Sequence, residues 1–300
     1  MVEKTDLIWM DGRLVQWDEA KIHIISHSLH YGTADFEGIR IYKTDNGKSA
    51  IFRLEDHIKR LFYTARMLYM DIPFTKEEIS KAIVKTAKRN CLEEGYIRPL
   101  IYYGHSEMGV SPKEERANIA IAVWLWKNYL GEKPARVKTS EVMRMHPKSS
   151  IVDAKISGNY ANSFRAGKWA RKAKYDEALL LDHLGYVAEG PGENFFIVKN
   201  REILTPRLGN ILPGITRDSI MKIARDIGYS VREIKMELPK IYKADEAFFT
   251  GTAAEVHPIL SIDDKIFEKA PGPITLELKT EYSNIIHGRN AKYKRWLTFV

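Results

Sequence analysis

The chain has 300 residues, 44% hydrophobic and 29% charged, which fits one large or two medium globular domains with packed cores. Its formal net charge is +8, but the lysines and arginines are dispersed among glutamates, as at Lys81, Lys85, Lys88 and Arg89. Nucleic-acid binding needs a basic patch interleaved with aromatics, so no nucleic-acid partner is expected. The single Cys91 excludes an internal disulfide and reads as a small buried hydrophobe on a helix; with no signal-like apolar core in residues 1–6 and no run of membrane-span length, a cytoplasmic protein without a membrane partner is expected.

Residues 7–10 and 13–17 read as two strands of a hairpin around Asp11-Gly12. Residues 26–32 read as a loop. His23, His27 and His30 flank it without a cysteine or paired carboxylate at ligand spacing, so no metal is expected. Two further strands, 38–42 and 50–53, turn at Asn46-Gly47. Leu54, Ile58, Leu61, Phe62, Ala65 and Leu68 repeat with the helical period. Arg53 stands where strand meets helix, a place from which a guanidinium can grip a phosphate. Thr75 and Glu78 form a capping-box pattern opening a helix to about Asn90. Residues 96–103 and 118–126 read as buried strands, with Tyr96 and Arg98 on one face. By themselves the residues fit either a grip on a substrate carboxylate or one core tyrosine beside one rim arginine. Polar residues, Gly131 and Pro134 then mark a boundary. The expected domains are 1–127 and 136–300, joined by a loop at 128–135.

In the second domain, residues 159–172 read as helix. Residues 175–181, 185–188, 194–198, 202–204, 229–233 and 246–250 read as strands. Pro213-Gly214-Ile215-Thr216 leads into a helix with Ile220, Ile223, Ala224 and Ile227 inward. Its first N–H groups, at Ile215 and Thr216, form a phosphate cradle by the physics of a helix N-terminus. Thr252-Ala253 offers a hydroxyl and backbone donors, and Gly272-Pro273 opens a last helix.

The chemistry concentrates in Ala154-Lys155-Ile156-Ser157-Gly158-Asn159-Tyr160 and in Glu189-Gly190-Pro191-Gly192-Glu193-Asn194. A lone lysine before a turn is ordinarily a surface group. Among small and apolar neighbours, burial destabilises its ammonium and yields the nucleophilic amine that a Schiff base requires. The cofactor such a lysine holds is pyridoxal phosphate, which also needs a partner at its ring nitrogen and donors at its phosphate.

Together these two stretches resemble the fold-type IV pyridoxal-phosphate enzymes, and within them the branched-chain amino acid aminotransferases. Tyr31-Gly32-Thr33-Ala34-Asp35-Phe36-Glu37-Gly38-Ile39-Arg40, Arg53-Leu54-Glu55-Asp56-His57, Tyr96-Ile97-Arg98-Pro99-Leu100, Leu212-Pro213-Gly214-Ile215-Thr216-Arg217 and Gly251-Thr252-Ala253-Ala254-Glu255 are similar to further family motifs, in the family's order. Several matches in sequence are far more specific than any one. The resemblance implies a two-domain α/β fold of type IV with the site in the crevice, and a homodimer at least. It implies Lys155 as Schiff base and proton carrier, Glu189 at the pyridine nitrogen and Tyr160 near the phenolic oxygen. Arg53, Ile215, Thr216 and Thr252 would hold the phosphate, with Glu193 orienting Arg53. Tyr96 and Thr252-Ala253 would take the α-carboxylate, and Arg98 the distal carboxylate of glutamate or 2-oxoglutarate. Phe36, Trp126, Tyr129 and Tyr160 would line an apolar pocket with Tyr31 and Val110 of the partner subunit; Arg40 joins the substrate residues. The implied reaction moves the amino group of L-leucine, L-isoleucine or L-valine to 2-oxoglutarate.

Asp35 and Asp153 are acidic where the family pattern leads one to expect neutral residues. D-amino acid aminotransferases and aminodeoxychorismate lyases are less similar at Tyr96-Ile97-Arg98-Pro99 and Gly192-Glu193-Asn194. A phosphate- or nucleic-acid-binding protein would account for the basic charge but would have no need of Lys155, Glu189 and Tyr160.

Overall fold

Two sheets organise the computed structural model, which describes every residue except 1, 106, 114, 115 and 127–129. Tyr129, expected in the substrate pocket, lies outside the described residues. The chain divides into two units. The first comprises Met1–Lys127, Ala154–Gly158 and Ile285–Val300; the second comprises Asn128–Asp153 and Asn159–Asn284. The expected split at 128–135 is therefore joined by two exchanges. The lysine segment and the C-terminus both go to the first unit.

In the first unit the strands run in the order Leu297–Phe299, Ser49–Phe52, Ile39–Lys43, Gly95–Tyr103, Ala117–Trp124, Leu7–Met10 and Arg13–Gln16, all antiparallel. Ala34–Phe36 adds to Gly95–Tyr103 from the side. The hairpin at Asp11-Gly12 forms because both residues adopt positive φ, 45° and 98°, matching the twist of the flanking strands. Helices Leu54–Met67 and Lys76–Arg89 cover the core, and the second carries the capping box of Thr75 and Glu78. Ile58, Leu61, Ala65, Ile79 and Ile83 of these helices join Ile39, Ile41, Ile97 and Ile121 of the sheet in one buried cluster. C-terminal Leu297–Phe299 completes the sheet edge at Ser49–Phe52.

Residues 26–32 are not simply a loop: His27–Tyr31 makes a short helix ended by Gly32 in the left-handed region. Cys91 is exposed, not buried; it stands just past the helix at φ 50°.

The second unit mixes parallel and antiparallel pairs in the order Val231–Ile234, Glu202–Pro206, Asn194–Lys199, Glu246–Gly251, Glu255–Ile262, Ala135–Thr139 and Glu177–Leu179. Lys265–Ile266 pairs at the side of Glu255–Ile262. Helices Tyr160–Lys172, Ile215–Asp226 and Pro273–Ile286 accompany the sheet. The expected strand at 185–188 is reduced to one bridge, Leu181 to Val187. Ile227 falls at the helix C-cap and is exposed rather than inward. No helix among the described residues is long and apolar enough to cross a membrane.

Candidate active site

Lys155 sits in a segment that hydrogen-bonds into the first unit along its backbone. Its N–H donates to Thr64 Oγ1 at 3.0 Å, its carbonyl accepts from Phe36 N–H at 3.4 Å, and Gly158 N–H donates to Gly32 O at 3.1 Å. The last contact requires glycine. A Cβ on Gly32 would come within 2.8 Å of Gly158 Cα, and Gly32 already has φ 69°. The Lys155 amine is brought down to about 8, first by burial and then by the charge of Arg60, against the opposing pull of Glu37. At pH 7 about a tenth of it is therefore a free amine, far more than for an ordinary lysine.

Near it lies a trio of ionisable side chains, Glu37, His57 and Arg60. Glu37 is fully buried; Arg60 donates to it at 2.6 and 2.9 Å, and His57 Nδ1 at 2.6 Å. Burial raises the Glu37 carboxyl, but Arg60 and His57 outweigh it and hold it well below the usual range. Burial also keeps His57 below its ordinary value, despite Glu37. Glu37 thus stays an anion near the lysine. This trio escaped the sequence reading; helical spacing of His57 and Arg60, one turn apart, was its only trace.

Asp35, two residues earlier, is buried with both carboxylate oxygens lacking hydrogen-bond partners among the described residues. Burial, then Glu37, raises its pKa well above the usual value.

Tyr96 and Arg98 share a strand face as expected, and Arg98 Nη2 lies 3.5 Å from Tyr96 Oη. The guanidinium stands 4.7 Å from the Phe36 ring and 5.7 Å from the Trp124 ring. Trp126 packs edge-on to Tyr96 at 4.5 Å, and its carbonyl accepts from Arg40 Nη1 at 3.0 Å. Phe36, Tyr96 and Trp126 thus form one aromatic wall with Arg98. Gly38 is needed beside it, since a Cβ there would collide with Tyr96 Oη. Tyr31 and Val110, assigned to a neighbouring subunit's pocket, are exposed at 42% and 76%.

Arg53 caps its helix at φ 51° and is buried. Its N–H donates to Trp296 O at 2.6 Å, its guanidinium lies 4.9 Å from the Trp296 ring, and its Nε donates to Asp56 at 2.6 Å. Asp56 and Trp296 are orienting partners that the sequence reading missed, the latter because it is more than two hundred residues away.

In the second unit a tight turn, Gly190 N–H to Glu193 O at 2.7 Å, brings Glu189 opposite Asn194. A Cβ on Gly190 would meet Glu193 Oε2 at 2.7 Å and Phe249 at 3.1 Å. Glu189 is buried and accepts from Arg144 Nε, Asn194 Nδ2 and Leu212 N–H. Arg144 was not singled out in the sequence; no local motif marks it. Glu193 is buried and accepts from Gly192 N–H at 3.1 Å.

Helix Ile215–Asp226 begins after Gly214 with no side-chain cap, leaving its first N–H groups for an anion. Thr216 is buried in that first turn. Thr252 and Ala253 are half-buried in the turn linking Glu246–Gly251 to Glu255–Ile262, and Tyr160 opens helix Tyr160–Lys172. The first unit carries a softened amine, and the second carries a buried carboxylate and a helix start without a side-chain cap; each is a kind of group that pyridoxal phosphate uses.

The pattern of the family Amino-transferase class IV matches residues 35–262. The branched-chain-amino-acid aminotransferase of Pseudomonas aeruginosa is 42% identical, the match covering 100% of this chain and 99% of that protein. The fold superposes with TM-score 0.95 on the T.th. branched-chain amino acid aminotransferase with pyridoxamine 5'-phosphate, at 45% identity and 99% coverage of each chain. The same enzyme complexed with N-(5'-phosphopyridoxyl)-L-glutamate superposes equally well, at TM-score 0.95, 44% identity and 99% coverage of each chain.

Proposed function

The chain belongs to the amino-transferase class IV family, and from that premise we propose that it is a pyridoxal-phosphate-dependent branched-chain amino acid aminotransferase. It transfers the amino group of L-leucine, L-isoleucine or L-valine to 2-oxoglutarate. The observation that carries this reading is Lys155, its amine brought down to about 8 beside an aromatic wall that carries Arg98.

When bound, the cofactor supplies a carbonyl for amine exchange and a ring that accepts the electron pair left at the substrate Cα. Lys155 would hold that carbonyl and, as a free amine, would take and return the proton at the substrate Cα. Glu189 keeps a proton on the ring nitrogen, and Tyr160 contacts the ring's phenolic oxygen. Arg53, Ile215, Thr216 and Thr252 would bind the phosphate, with Asp56 orienting Arg53. Phe36 and Trp126 would shed water from an aliphatic side chain, worth roughly 1.5–3 kcal/mol. Arg98 receives the second carboxylate of glutamate, Tyr96 and the Thr252-Ala253 backbone the first, and Arg40 buttresses Trp126. The working unit is a homodimer in the cytoplasm, with the partner subunit's Tyr31 and the partner subunit's Val110 closing the pocket.

Transfer of label from 15N-labelled leucine to 2-oxoglutarate, read as labelled glutamate, tests this. Labelled glutamate is expected. None formed, with cofactor bound, would set the substrate assignment aside.

A further inference from the structure

We infer that Arg144 and Asn194 are positioning residues that hold Glu189 as the anion needed at the cofactor's ring nitrogen. The inference rests on the role of Glu189 proposed above and adds what makes that role possible.

All three side chains are buried, with 6%, 6% and 5% exposure for Arg144, Glu189 and Asn194. Three donors meet the Glu189 carboxylate. Arg144 Nε donates to Glu189 Oε1, Asn194 Nδ2 to Oε2 at 3.0 Å, and Leu212 N–H at 3.1 Å to Oε2 and 3.3 Å to Oε1. Donors, one of them charged, favour the ionised carboxylate.

The donors are themselves fixed. Arg144 Nη2 donates to Val152 O at 2.9 Å, while Nη1 is buried with no hydrogen-bond partner among the described residues. A guanidinium kept buried with one nitrogen unsatisfied is costly unless its charge is used. Asn194 spends its other N–H on Leu212 O at 2.9 Å. A flipped amide would aim oxygen at two acceptors, so the network sets its orientation. Its Oδ1 occupies the space beside Gly214, where a Cβ would collide with it. One asparagine therefore ties the carboxylate to the turn that leads into the uncapped helix at Ile215.

A carboxylate and a ring nitrogen compete for one proton. Donors on the carboxylate weaken its hold, and the proton stays on the ring, where it makes the ring a better electron acceptor.

The test is 15N NMR of holoenzyme carrying 15N-labelled pyridoxal phosphate, titrated with pH; the shift separates protonated from unprotonated ring nitrogen. In the wild type the nitrogen should be protonated. In Arg144→Gln its midpoint should fall by about one pH unit or more, tenfold in proton affinity. Arg144→Lys should lie between, and Asn194→Ala should fall by less. A purely structural role would lower cofactor occupancy without moving the midpoint of the bound fraction. Unchanged midpoints in Arg144→Gln and Asn194→Ala, with loss of the proton in Glu189→Gln, would overturn this inference and leave the role of Glu189 standing. An unprotonated nitrogen in the wild type, or Glu189→Gln matching the wild type, would overturn both. Should Arg144→Gln fail to fold, Arg144→Lys and Asn194→Ala decide by the same criterion.

Discussion

Lys155 and Phe36 are locked together twice: the Phe36 N–H donates to the Lys155 carbonyl, and the Lys155 Nζ stands 4.6 Å from the Phe36 ring centroid. The same ring has the Arg98 guanidinium 4.7 Å away. One aromatic side chain thus serves two cationic groups, and the pair is relieved when the lysine is a neutral amine.

This has a consequence for stability. In the cofactor-free protein Lys155 titrates near 8 rather than 10.5, so between those values the unfolded chain binds more protons than the folded one. Stability should then rise with pH across that window and be flat below it. Lys155→Met should stabilise cofactor-free protein at pH 7, on the order of 1–3 kcal/mol, with the gain vanishing toward pH 10.5. Denaturant titrations of both proteins at several pH values check this. Lys155→Ala should also abolish turnover while retaining part of the phosphate-anchored cofactor.

Asp35 works in the opposite sense. Its folded-state pKa is raised by burial and then by Glu37, so the unfolded chain loses its proton first as pH rises. Stability contributed by the neutral acid is full below the ordinary value of 3.8 and declines above it until the folded-state group ionises. Asp35→Val should therefore raise the melting temperature at pH 7, recovering about 1–3 kcal/mol for a polar group without partners. The gain should shrink near pH 4. Thermal scans at the two pH values measure it.

Glu37→Gln should be damaging. It takes the carboxylate from nearly buried Arg60 and from buried His57, a change that costs about 3–5 kcal/mol when one member of a buried pair is removed. It also removes the charge that supports the Lys155 ammonium, so the lysine should titrate lower still. The pH dependence of amine modification in cofactor-free protein reports that shift.

Arg98→Ala should separate the two substrates. Leucine needs only the apolar wall, whereas glutamate and 2-oxoglutarate need a cation for their second carboxylate. The kcat/KM for the acidic pair should fall by at least about tenfold more than that for leucine. Equal losses would assign Arg98 to another task.

Much of this was legible in the chain. The Asp11-Gly12 hairpin, the Thr75–Glu78 capping box and the helix after Gly214 follow local rules, and each forms where those rules put it. What was hidden depends on distant pairing. Ala135–Thr139 and Leu297–Phe299 are too short to announce themselves and are strands because Glu255–Ile262 and Ser49–Phe52 accept them. The charges acting on Lys155 and Glu189 were hidden for a related reason. Arg60 looks like any solvent-facing helical arginine, and Arg144 sits in a stretch without periodicity, until tertiary packing buries them.

The most direct test is the half-reaction of the purified holoenzyme, watched through the visible band of the bound cofactor. L-leucine, L-glutamate and D-alanine are added separately, without a second substrate. Conversion to the pyridoxamine form by leucine and glutamate, but not by D-alanine, is the expected result. Conversion by D-alanine and not by leucine would contradict it and place the enzyme among aminotransferases of the opposite hand.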